Sequence, residues 1–160
     1  MPAVTITPSD VFASINAQLG NGVAGETITQ GQPVYLKDAD RRLYKASNLT
    51  LAESRVVGIS RNAATAGQPL LVDRLDPAFT YGGTQATGST LYLSSTAGGM
   101  TTTYASAGQY VVVLGVTFGG SGAPSFDSTE ITFDSTENTF DEDNVYQMNL
   151  APIENGPYTP

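Results

Sequence analysis

An all-β fold is predicted: a jelly-roll-like sandwich or small barrel with an internal duplication, one short N-terminal helix and an extended C-terminal arm. Three observations predict it. Seventeen Gly and nine Pro punctuate a chain rich in Thr, Ser, Val and Tyr, a composition that favours short strands joined by turns. Two separated blocks of sequence recur at one offset of 57 residues. Beyond a Gly-rich stretch, Phe126, Phe133 and Phe140 recur every seven residues in polar sequence that cannot supply a core.

The elements follow in chain order. Residues 1–24 read as an N-terminal arm. Ser9 can cap a helix over about 10–19, with Asp10 at its positive end, Val11, Phe12, Ile15 and Leu19 on one stripe, and Gly20 just beyond. The stretch GNGVAG then reads as a flexible joint. Residues 25–118 form the duplicated body. GETITQGQPVYL returns as GGTQATGSTLYL, which sets Gly31 over Gly88 and Tyr35 over Tyr92, and VVGIS returns as VLGVT, which sets Gly58 over Gly115. Each unit reads as a turn, a strand, a polar loop with a second short strand, and a longer apolar strand. In VYL and LYL the Tyr alternates with aliphatics, so Tyr35 and Tyr92 are expected half-exposed, opposite a core-facing row. Mid-strand Gly58 and Gly115 predict a bulge or a close backbone crossing.

Residues 119–124, GGSGAP, read as a linker, and 125–160 as an acidic C-terminal arm. FDSTEIT, FDSTENT and FDEDNVY do not make a coiled coil, because the second apolar seam falls on Thr129, Thr136 and Asp143. Asp and Ser after Phe126 and Phe133, and Asp after Phe140, are expected to close local turns, leaving each Phe a separate anchor. Phe12, Ile15, Phe126, Phe133, Phe140 and Tyr146 are the candidate partner-binding residues. With the body complete before Gly119, residues 125–160 are expected to be dispensable for folding.

The absence of Cys, His and Trp excludes disulfides, thiolate and imidazole chemistry, and zinc sites built on His or Cys. Asp141, Glu142, Asp143 and Asn144 lack the spacing of a calcium loop, so neither metal nor other cofactor is expected. The one carboxylate pair near the strands, Asp73 with Asp76, sits in a Leu-Asp-Pro turn and reads as turn chemistry, so no enzyme is expected. All seven basic residues precede residue 75; residues 75–160 hold nine acids and no base, an arrangement unlike a nucleic-acid binder. No basic-then-apolar leader opens the chain and no apolar run could span a bilayer, so a soluble, non-secreted protein without a membrane partner is expected.

The strings AGETITQGQPVYLKDADRRLYKAS, RVVGISRNAATAGQPLLV, TGSTLYLSSTAGGMTT and VVVLGVTF together resemble bacteriophage capsid decoration (cement) proteins and related small virion proteins, over roughly residues 24–118. The resemblance implies a β-rich structural virion protein on the capsid exterior, made in the host cytoplasm. Its implied partners are the major capsid protein, whose subunits it bridges to stabilise the shell, and copies of itself as homodimer or homotrimer. The alternative is a phage tail or fibre module that binds host surface glycans through Tyr81, Tyr92 and Tyr104, although such modules usually display Trp, absent here.

Overall fold

The computed structural model describes residues 3–118 together with the backbone of two short strands at 147–148 and 153–157. The chain is mostly strand: β1 (Val11–Phe12), β2 (Gln18–Val23), β3 (Pro33–Lys37), β4 (Arg42–Lys45), β5 (Val56–Ser60), β6 (Pro69–Leu75), β7 (Phe79–Tyr81), β8 (Thr90–Leu93), β9 (Met100–Thr101), β10 (Tyr110–Phe118), β11 (Gln147–Met148) and β12 (Ile153–Pro157). Among the described residues, helix is confined to a 3-10 turn at Pro8–Asp10 and a single turn, α1 (Leu51–Ser54), whose first amides are capped by Thr50. The strands pair antiparallel in the orders β2-β6-β5-β3-β4 and β1-β7-β11-β10-β8-β9, with β12 also on β10.

The two orders repeat one another. Val34 faces Gly58 and Tyr35 faces Val56, with a register shift between; 57 residues later Leu91 faces Gly115 and Tyr92 faces Val113, again with a shift. Tyr35 faces Tyr44 and Leu36 faces Leu43, as Tyr92 faces Thr101 and Leu93 faces Met100. The interiors match as well. Val34, Leu43 and Ala24, with Leu36 and Val57 packed on them, form one apolar cluster. Their counterparts Leu91, Met100, Tyr81, Leu93 and Leu114 lie in the second. Larger side chains stand at several of the matched places in the second cluster, Tyr81 for Ala24 being the extreme case.

Matched hydroxyls close each unit. Ser60 Oγ donates to the Thr29 carbonyl (2.6 Å) and accepts from the Gln32 amide (3.0 Å). Thr117 Oγ1 donates to the Ala86 carbonyl (2.6 Å) and accepts from the Ser89 amide (2.9 Å). Both residues are fully buried. Truncating either removes a donor from one carbonyl and an acceptor from one amide, although at the second site the Ser89 amide keeps the Ala86 carbonyl (3.1 Å). Ser60→Ala and Thr117→Val are therefore each expected to lower the unfolding free energy by about 1–2 kcal/mol, read by urea denaturation. Matching costs at the two sites are the expected sign of the repeat.

Three expectations are corrected. The helix over about 10–19 does not form; the segment makes the 3-10 turn and then two edge strands, β1 on β7 and β2 on β6. A helix would have buried Val11, Ile15 and Leu19 together, but in strand geometry Val11 turns inward on β1 while Phe12 turns out, and Ile15 and Leu19 are exposed. By the same token GNGVAG is not a joint, since Gly20–Val23 pair with β6. Second, Tyr35 is 8% exposed rather than half-exposed, because it meets one apolar cluster while its neighbour Val34 lies in the other. Tyr92, its counterpart, does remain partly exposed. Third, the chain after Gly119 is not wholly an arm: β11 lies between β7 and β10, and β12 pairs with Tyr110–Val113 of β10.

Candidate partner surface

The N-terminal segment runs along the edges of both strand systems. Thr7 donates its amide to Gly82 (2.9 Å) and Asp10 turns back onto Thr7 (3.0 Å), which delivers Val11 into β1 opposite Tyr81. Val11 is buried and Phe12, next along, is 51% exposed, the alternation expected of a strand with one wet face. The chain then crosses from β1 to β2, and Ile15 stands fully exposed at the crossing. On β2, Leu19 (55% exposed) and Val23 continue the border, and Leu71 and Leu75 of the adjoining β6 widen it. The Arg74 side chain lies over Gly20, where any Cβ would run into its guanidinium.

Ser14 fastens the crossing. Its amide donates to Asp76 Oδ2 (2.7 Å), its hydroxyl donates to Asp76 Oδ1, and the Ala78 amide also donates to Oδ1 (2.9 Å). Asp73, three residues earlier, is just as fully buried, yet neither of its oxygens meets a donor. Burial first, then repulsion from Asp76, pushes its carboxyl up to about 6, while Arg61 acts in the opposite sense. The Arg61 Nη1 is itself buried without an acceptor. Sequence reading took this pair for turn chemistry. Asp76 does cap the turn through Ala78, but the complete burial of both carboxyls is a tertiary property that no local pattern displays.

Of the candidate contact residues, Phe12 and Ile15 lie on this border, on the two sides of the Ser14 fastening. Phe126, Phe133, Phe140 and Tyr146 lie outside the described residues. Leu71 and Leu75 were not singled out by the sequence, and Leu19 only as part of a helical stripe, although the alternation in QLGNGV was the available signal for β2. Of the three tyrosines in the glycan alternative, Tyr81 is fully buried and cannot face a ligand. Tyr104 is half-exposed and stands edge-on to Tyr92, ring centres 5.6 Å apart. A shallow cleft of about 210 Å3 lies between Ile6, Pro8, Gln30, Gln32 and Gly98 and has no titratable side chain in its wall. Among the described residues, no three carboxylates come together to hold a metal ion. No family model, no curated protein and no solved structure matches this chain.

Proposed function

We propose that the protein is a structural one that binds the outside of a bacteriophage capsid, bridging major capsid subunits and stabilising the shell, in homo-oligomeric form and without catalysis. The observation that carries this reading is the exposed apolar border from Phe12 through Ile15 and Leu19 to Leu71 and Leu75. Exposed apolar side chains on two edge strands and on the strand next to one of them, with the crossing between the edges pinned at one serine, suit a surface that is covered on assembly. A protein that binds only the assembled lattice stabilises it by mass action, and this needs shape and apolar contact rather than a cleft. For the body we favour two small barrel-like units over a jelly roll. What supports this is the bridge from Ala24 to Leu43, which links the far end of β2 to β4, the opposite end of its strand order.

Co-sedimentation with empty capsids tests the function. Ile15→Asp and Phe12→Ser are each expected to weaken binding about tenfold or more, as loss of one largely buried apolar side chain of about 1.5–3 kcal/mol implies. Binding should survive ~0.5 M salt, at which charge contacts are screened within a few Å. Absence of binding to capsids, with retention on immobilised host glycans that Tyr104→Ala abolishes, would replace this reading with the glycan-binding one.

A further inference from the structure

The Ser14 fastening rests on a carboxyl pair of which only one member is satisfied. Asp76 accepts two donors from Ser14 and one from Ala78. Asp73 accepts none, although the side chain is fully buried. Its cross-strand neighbours bring no charge to it: on β2 the residue opposite is Leu19, and on β5 it is Ile59. The charged groups that act on it are Asp76, further along its own chain segment, and Arg61, which follows β5. Arg74, next to it on β6, is turned over Gly20.

We propose that Asp73 and Asp76 form a proton-operated latch for the N-terminal segment, closed when Asp73 holds a proton and loosened when Asp73 has lost it. In the closed form Asp73 has taken one proton from solvent and its O–H donates to the Asp76 carboxyl, which keeps its grip on Ser14. Once Asp73 loses its proton, its charge stands in a water-poor site beside Asp76, where Arg61 only partly offsets the repulsion. Lifting the segment relieves this, because Leu19 is the β2 residue opposite Asp73 and Ser14 covers Asp76.

The sign follows from linkage. Asp73 binds its proton more tightly in the closed form, near pH 6, than in an opened, solvated form near the usual carboxylate value of about 4. Closure is therefore fully favoured below about pH 4 and weakens as pH rises to and through 6. Between pH 5 and 7.5 the opening constant is expected to rise about tenfold. The latch is a property of the isolated chain; only its consequence, that pH sets how firmly Phe12, Ile15 and Leu19 are presented, rests on the reading of that border as a contact surface.

The test is amide hydrogen exchange at Ser14 and Ala78 in the full chain between pH 5 and 7.5, corrected for the intrinsic pH dependence of exchange, beside a carbon-detected titration of the Asp73 carboxyl. Protection at Ser14 should fall about tenfold across that range in the native protein and stay level in Asp73→Asn, whose amide donates to Asp76 without ionising. Level protection in the native protein, or an equal fall in the Asn variant, overturns the latch. Should the Asn variant fail to fold, the native titration decides: an Asp73 midpoint near 4, or one near 6 with no linked change at Ser14, also overturns it. A working latch in a chain that does not bind capsids would count against the proposed function alone.

Discussion

A chain ended after Phe118 is expected to lose its cooperative melting transition, or at least to melt about 10 °C lower than the intact protein. Among the described strands, the β1–β7 pair joins β10 through β11, which faces Phe79 and Thr80 on one side and Thr117 and Phe118 on the other. Strand β12 pairs with the opposite end of β10, from Tyr110 to Val113. Without both strands, β10 keeps β8 alone, and one flank of a strand carrying the buried Val111, Val112 and Leu114 is opened. Unpaired amides and carbonyls beside core side chains invite both unfolding and edge-to-edge association. Thermal melting followed by circular dichroism, with dye binding to exposed apolar surface, reads the outcome. A second chain isolates the cause: because Phe118 and Gln147 face one another, a short Gly-rich turn in place of residues 120–145 retains β11 and β12 and should melt near the intact protein. An unchanged melting curve for the chain ended at Phe118 would mean that β11 and β12 add nothing to the body.

The contrast with the expectation that residues 125–160 are dispensable shows where sequence reading stops. Gln147–Met148 is too short to display a period, and Ile153–Pro157 contains both Gly and Pro, which argue against a strand when only local sequence is visible. Such strands exist because a long neighbour, β10, offers them a pairing edge. The N-terminal segment failed in a related way. Val11, Ile15 and Leu19 satisfy a helical stripe, but the edges of β7 and β6 supplied backbone partners and Asp76 captured Ser14, and none of these contacts is local.

What was legible was carried by spacing that recurs. Gly58 and Gly115, Tyr35 and Tyr92, and Gly31 and Gly88 stand at one offset in the sequence, and the structure gives the first two pairs equivalent cross-strand neighbours. Gly31 and Gly88 share a positive φ, 88° and 80°, as matching turns before β3 and β8 require. Phe12 and Ile15 were singled out as contact residues on the stripe of a helix, whereas they stand exposed at an edge strand and at the crossing that follows it. The buried carboxyl pair was named but misread, because a Leu-Asp-Pro string looks the same whether its aspartates are solvated or enclosed.

Replacing Gly58 by Ala is expected to cost about 3–5 kcal/mol, among the largest single-residue effects in the chain. Gly58 lies on β5 at φ 152°, inside the region that side chains rarely adopt, and at the register shift where Val34 faces it. A Cβ there would run into the carbonyl of Asp73 and into Val72 Cγ1 (2.6 Å), so backbone and core on β6 would both have to move. Neither yields easily. Ile59 and Ser60 pair with Asp73 and Val72, and a displaced β6 would drag the enclosed Asp73 carboxyl and the Ser14 fastening with it. Gly67→Ala is the control: its φ of 86° is equally disfavoured for a side chain, but nothing lies within 4 Å of the added atom. Strain alone should cost about 1 kcal/mol there. Urea denaturation of the two variants separates crowding from strain, and equal losses would mean that the approach of β5 to β6 at Gly58 carries no special demand.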